Sequence, residues 1–119
     1  MKNIFCLILI STFVMSCEPE VQYTQEDVTG YWEIVAAKRN GNETSTLQGA
    51  WMKILGDEMM DNFFTNKQKY KFSLEGSKIT HHANPDRKYK IIELTSAKMV
   101  LTTIFKKHDF EFTFKKKNG

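Results

Sequence analysis

Lys67-Gln68-Lys69-Tyr70-Lys71-Phe72-Ser73-Leu74-Glu75-Gly76-Ser77-Lys78-Ile79-Thr80-His81 decides the class of this fold. Gln68, Tyr70, Phe72 and Leu74 alternate with Lys67, Lys69, Lys71 and Ser73, the period of two that sends successive side chains to opposite faces of a strand. Glu75-Gly76 turns the chain into Lys78-Ile79-Thr80-His81, which makes the stretch a hairpin. The pattern then repeats to the C-terminus. Asn84-Pro85-Asp86 turns into a strand over 88–94, Thr95-Ser96-Ala97 into a strand over 98–106, and Lys107-His108-Asp109 into a strand over 110–116. In the last of these Phe110, Phe112 and Phe114 face one way and Glu111, Thr113 and Lys115 the other. Strands joined in sequence order by short turns predict an antiparallel meander, and curling it into a barrel or half-barrel protects its edges.

Upstream, Gly30-Tyr31-Trp32-Glu33-Ile34-Val35-Ala36-Ala37-Lys38 is rich in aromatic and β-branched residues and reads as the first strand, with Trp32, Ile34 and Ala36 on one face. Asn40-Gly41-Asn42 ends it with residue types that tolerate positive φ. Thr24 stands three residues before Asp27, a capping pair that predicts a short helical turn leading into Val28. Between Leu47 and Phe64 the period changes. Leu47, Trp51, Ile54 and Leu55 fall at helical spacing, and Met59, Met60, Phe63 and Phe64 make a second stripe beyond Gly56. This predicts two short helices, or one helix broken near Gly56. The expected domain, residues 28–119, is therefore mainly β, about six strands with a helical insertion after the first.

The first sixteen residues read differently. Lys2 precedes the apolar run Ile4-Phe5-Cys6-Leu7-Ile8-Leu9-Ile10, and the small residue Ser16 follows, the layout of a secretory signal peptide too short to span a bilayer. Val14-Met15-Ser16-Cys17 resembles the lipobox of bacterial lipoproteins. The resemblance implies diacylglyceryl transfer to the Cys17 thiol and cleavage before it, leaving a lipidated cysteine and tether over 17–27. Removing sixteen residues from 119 leaves 103, enough for a single modest core. Cys6 leaves with the signal and Cys17 carries lipid, so no thiol remains for a disulfide, a metal or a nucleophile. Two acyl chains such as palmitate, each buried methylene contributing about 0.8 kcal/mol, anchor a protein stably to a membrane. Glu18 after the cysteine points by analogy to the outer membrane of a bacterial envelope. Glu18 and Glu20 resemble the acidic run of surface lipoproteins, which leaves both its periplasmic and its surface face open.

Charge is unevenly spread. Nine acids face three basic residues over 17–66, whereas thirteen basic residues face five acids over 67–119. Many of the lysines fall on the solvent face of a strand.

Gly30-Tyr31-Trp32, Tyr89-Lys90-Ile91-Ile92-Glu93-Leu94-Thr95, Met99-Val100-Leu101 and Phe110-Glu111-Phe112-Thr113-Phe114-Lys115 together resemble the lipocalin-like domains of small lipoproteins from Bacteroidota and related bacteria. Gly30 and Trp32 stand where those domains open their first strand with Gly-x-Trp. The larger lipocalins pack an arginine from the end of the barrel over that tryptophan. Neither Arg39 nor Arg87 lies on the last strand, so Lys115 or Lys116 would have to supply the stem and the charge. The resemblance implies a non-enzymatic binding module. Tyr70, Phe72, Tyr89, Met99, Leu101, Phe110 and Phe112 would line its concave side, under a helix carrying Met59 and Phe63, around a small apolar or amphipathic ligand. The rival expectation is an envelope protein with a filled core that binds a partner protein through its outer face.

Catalytic and metal signals are weak. His81 and His82 are adjacent, so on a strand they point to opposite faces and would not share an ion; exposed or turn histidines are expected. Asp57, Glu58 and Asp61 fall within one helical turn and read as a solvated helix face. Neither a nucleophile elbow, a phosphate-binding glycine loop nor a zinc-binding helix motif is present, so neither an enzyme nor a cofactor is expected. Tyr70, Phe72 and Tyr89 alternate with lysines and face inward, which argues against nucleic acid. The short tether makes the membrane surface the expected place of binding.

Overall fold

The computed structural model describes residues 21–117. They form one helical turn, α1 (Gln25–Val28), and nine strands: β1 (Gly30–Arg39), β2 (Asn42–Glu43), β3 (Trp51–Leu55), β4 (Glu58–Asp61), β5 (Tyr70–Glu75), β6 (Lys78–His81), β7 (Arg87–Leu94), β8 (Lys98–Phe105) and β9 (His108–Lys117). Every pairing is antiparallel. β1 and β3 to β9 pair in sequence order, and β1 pairs with β9, so eight strands close into a barrel; β2 is a short extra strand on the end of β1. Closure removes the two free edges that a half-barrel of six strands would leave.

The expected helical insertion is a β-hairpin. Met52 pairs with Asp61 and Ile54 with Met59, and these four point inward and are buried. The two-residue turn Gly56-Asp57 joins the strands, with Gly56 at φ 59°, the first turn position where a tight hairpin takes glycine. Helical spacing was mimicked because the outer face is apolar too. Trp51 points outward and stacks on Tyr31 at 5.7 Å, and Leu55 is 56% exposed. Phe63 and Phe64 lie past the end of β4 altogether.

Two bulges reset the alternation. Val35 is the extra residue between β1 and β9, so Ala37, opposite Phe112, is the buried one and Ala36 faces out. Ile92 is the extra residue between β7 and β8, which leaves Glu93 outward and Leu94 opposite Met99. The turn before the last strand is Lys106-Lys107 instead of Lys107-His108-Asp109, so β9 starts two residues earlier than expected, with His108 and Asp109 already in it.

The up-and-down topology gives the barrel two unlike ends. One is plugged. Thr24 caps α1 reciprocally with Asp27, its hydroxyl accepting the Asp27 N–H at 3.3 Å while the Asp27 carboxylate accepts the Thr24 N–H at 2.9 Å. The turn delivers Val28, fully buried, whose carbonyl accepts the Trp32 indole N–H at 2.9 Å. Tyr23 ties the segment to the β5–β6 turn through the Gly76 carbonyl at 3.2 Å. Lys116, not Lys115, lays its stem across this end, with Nζ 5.4 Å from the Trp32 ring centre; Lys115 pairs with Glu33 on the outer face. Gly30 makes the approach feasible. At φ 152° its backbone disfavours any side chain, and a Cβ there would lie 2.6 Å from the Lys116 Cε.

Above the plug, Met52, Ile54, Met59, Ile79, Met99, Leu101, Phe112 and Phe114 pack into one cluster with Trp32 and Phe72. Their burial at about 1.5 to 3 kcal/mol per large side chain is the main force holding the sheet closed. The outward positions of the same strands carry Lys53, Glu58, Lys71, Lys78, Lys88, Lys90, Glu111 and Lys115. Lipid-spanning barrels require an apolar outer band instead.

A buried polar cluster at the mouth of the barrel

The opposite end, the mouth, carries the chemistry. It is built from the ends of β4 and β6, the start of β7, the end of β8 and the segment 62–69 folded across them. Asp61 closes β4 pointing inward and is fully buried. Its Oδ1 accepts three backbone N–H groups in succession, from Phe63 at 3.1 Å, Phe64 at 2.6 Å and Thr65 at 2.8 Å. Thr65 returns the contact, its hydroxyl accepting the Asp61 N–H and donating to the Asp61 carbonyl. This knot aims two aromatic rings over the opening: Phe63 packs edge-on against Phe112 at 5.5 Å and Phe64 against Phe105 at 4.7 Å. Arg87 enters between them, its guanidinium carbon 4.3 Å from the Phe105 centroid and 5.1 Å from that of Phe64.

Beneath this cover His81 is fully buried opposite Arg87 on the neighbouring strand. Its Nε2 lies 2.9 Å from the Met59 carbonyl, which only accepts, so Nε2 carries the proton and Nδ1 is left as an acceptor. Burial lowers the His81 pKa; the hydrogen bond to Met59 and the Asp61 charge oppose that shift without reversing it. The ring is therefore neutral at pH 7. Tyr89, two residues along β7, has its pKa raised well above the ordinary phenol value, by burial first and by the Asp61 charge second, with Arg87 opposing. Its hydroxyl stays protonated.

Four buried side-chain polar atoms have no hydrogen-bond partner among the described residues: Asp61 Oδ2, His81 Nδ1, Arg87 Nε and Tyr89 Oη. All four belong to one neighbourhood: His81 faces Arg87 across β6 and β7, Tyr89 is the next inward residue of β7, and His81 meets the carbonyl of Met59, the inward residue before Asp61 on β4. Each unpaired buried group of this kind costs about 1 to 3 kcal/mol. Concentrating them in one place costs stability that a packed apolar mouth would not.

The residues singled out from the sequence divide between core and mouth. Phe72, Met99, Leu101, Phe112 and Met59 all face inward but are packed on one another, each 5% exposed or less. Tyr70, Phe110 and Phe63 are half-buried near the mouth, Tyr70 with its ring edge-on to His81 at 5.9 Å. Met59 and Phe63 sit on a strand and a loop, not on a helix. Gly30 and Trp32 are at the plugged end. Cys17 and the signal segment lie outside the described residues.

His81 and His82 do point to opposite faces, but His81 is buried instead of exposed. His82 is outside, beside Ser73 and 3.6 Å from Asp86. Of the three acids read as one helix face, Asp57 is in a turn where it meets Lys71 at 3.6 Å, Glu58 points out, and Asp61 is interior. Asp61 and Arg87 were missed as site residues. Their one signal is parity: each shares a strand face with apolar neighbours, Asp61 with Met59 and Arg87 with Tyr89 and Ile91.

A concavity lies on the outer face. It holds about 950 Å³ and crosses β6 to β9 and the end of β1, with Lys78, Lys88 and Lys90 on one side, Thr102 and Ile104 in the middle, and Asp109, Glu111 and Lys38 on the other. A barrel wall is saddle-shaped, so its outside is hollow along the strands.

Among the described residues no helix is long and apolar enough to cross a membrane. Compared with known proteins, the chain matches no family model, no curated protein and no solved structure.

Proposed function

We propose that this chain is a lipid-anchored, lipocalin-like binding module of a bacterial envelope, taking a small amphipathic ligand at the mouth of its barrel. The observation that carries the reading is the gathering of four unpartnered buried polar atoms, from Asp61, His81, Arg87 and Tyr89, under the half-buried rings of Phe63 and Phe64. Folded chains rarely leave such groups unpaired unless something else satisfies them. The Gly30-Trp32-Lys116 arrangement at the plugged end supports the family likeness, with lysine standing in for the arginine of larger lipocalins. The filled core below Phe112 limits the ligand to a short one. Its polar end enters among the four atoms, and its apolar part replaces Phe63 and Phe64 against Phe105 and Phe112.

Native mass spectrometry of the protein extracted from its host envelope tests this. The expected result is an added mass that is retained in gentle ionisation and lost in Asp61→Ala. A bare protein mass, from material whose mouth is intact by hydrogen exchange, overturns it.

The second reading is a partner-binding envelope protein, favoured by the outer concavity of about 950 Å³. Cross-linking from Lys88 and Lys90 to one neighbouring envelope protein, abolished by Lys88→Glu with Lys90→Glu, would establish it. Diffuse cross-linking would remove it.

A further inference from the structure

We infer that the mouth selects a ligand whose polar end is neutral and both donates and accepts hydrogen bonds, a primary amide or a hydroxyl, and that it rejects carboxylates and amines. The inference rests on the ligand-binding reading and concerns the same site. The unpartnered atoms dictate the complement. Asp61 Oδ2 and His81 Nδ1 are acceptors, Arg87 Nε–H is a donor, and the Tyr89 hydroxyl is either. A primary amide offers two N–H donors for the acceptors and one carbonyl for Arg87; a hydroxyl offers one of each.

Charge argues the same way. Asp61 and Arg87 carry opposite charges and make no ion pair within 4 Å of each other among the described residues, yet both act on His81 and Tyr89. A carboxylate drawn to Arg87 would enter beside the buried Asp61 carboxylate. An ammonium drawn to Asp61 would enter beside the Arg87 guanidinium. In a water-poor site either like-charge approach is costly. A neutral donor and acceptor bridges the two charges with no such conflict.

The test uses four six-carbon probes that differ only at the head: hexanamide, hexanol, hexanoate and hexylammonium. Each is titrated into the full-length protein in non-ionic detergent and followed by NMR of the His81 and Phe63 side chains. The expected order has hexanamide and hexanol at least about tenfold tighter than either ion, a difference of about 1.4 kcal/mol. Asp61→Asn, which keeps an oxygen for the 63–65 amides, should narrow the gap for hexanoate about tenfold. Arg87→Met, which keeps an apolar stem between Phe64 and Phe105, should do so for hexylammonium. If Arg87→Met does not fold, the wild-type order and Asp61→Asn still decide. Hexanoate or hexylammonium binding tightest, or a hexanoate gap unmoved by Asp61→Asn, overturns the inference and leaves the ligand-binding reading intact. No perturbation by any of the four probes overturns both.

Discussion

His81 ties the mouth to pH. Its folded pKa lies below the ordinary histidine value because burial disfavours the imidazolium, so the folded protein resists a proton that the unfolded chain accepts near pH 6.5. The unfolded state then binds more protons as pH falls through 6.5, and stability drops with it, by at most about 1.4 kcal/mol per pH unit, until the folded pKa is reached. Above pH 6.5 the contribution is fully present. Urea unfolding at pH 7.5 and 5.5 should show the loss in the wild type and a smaller one in His81→Gln, whose amide also donates to the Met59 carbonyl. Equal losses in the two proteins would show that His81 does not titrate this way. The same residue marks a limit of reading side chains from sequence. The alternation of β6 placed His81 and His82 on opposite faces, but which face was inside depended on strands far away in the chain. Polar type favoured the outside for both. Asp61 and Arg87 were hidden for the same reason, since a charged residue on an inward position looks like a break in the pattern and not like part of a site.

Turns and strands show where local chemistry suffices and where it fails. Asn40-Gly41 has φ of 51° and 84°, the paired positive values of a type I′ hairpin, and sequence alone marked it. Lys106-Lys107 adopts the same geometry, with φ of 50° and 69°, although neither residue favours it. The β8–β9 turn was therefore placed on Lys107-His108-Asp109, which start one residue late and include two types that suit turns better, and β9 was begun two residues late. Each left-handed lysine stores about 1 kcal/mol of backbone strain. Replacing the pair by Asn-Gly, through Lys106→Asn with Lys107→Gly, should raise stability by about 1 to 2 kcal/mol and shift the urea midpoint upward with an unchanged slope. A midpoint that stayed put or fell would mean the lysines make compensating contacts. The β3–β4 hairpin is the larger miss. Its inward set, Met52, Ile54, Met59 and Asp61, ends in a carboxylate, and its outward set holds Trp51, Leu55 and Met60, so the strand's own alternation was masked. By contrast the run from Tyr70 to Phe114 keeps its lysines and glutamates outside, with Thr103 buried as an exception among its threonines, and its strand ends were legible to within about three residues.

For the molecule entire, closure and up-and-down order fix a polarity that bears on where it works. The chain enters at the plugged end, with Tyr23 bonded to Gly76, and β9 finishes there at Lys117. Phe63, Phe64, Arg87 and the Lys106-Lys107 turn are at the mouth. Strands of 8 to 10 residues such as β7, β8 and β9, rising about 3.3 Å per residue and tilted about 40°, separate the two ends by roughly 20 to 25 Å. Cys17 precedes Val21 by four residues, so it lies within about 14 Å of it. If Cys17 carries lipid, as its lipobox-like setting leads us to propose, the plugged end faces the membrane and the mouth faces away. On that proposal the site lies away from the membrane surface, contrary to the expectation drawn from the short tether, and a ligand would reach it from the aqueous side. The anchor itself is tested by Cys17→Ala, which should abolish acyl labelling and leave the precursor uncut. Orientation is then read from single cysteines added to the lipidated protein, Ala97→Cys in the β7–β8 turn and Lys107→Cys in the β8–β9 turn, each carrying a fluorophore on vesicles with nitroxide-labelled headgroups. The label at position 97 should be quenched several-fold more than the label at 107. Equal quenching would describe a barrel lying on its side, and stronger quenching at 107 would put the mouth against the bilayer; either result refutes the outward-facing site.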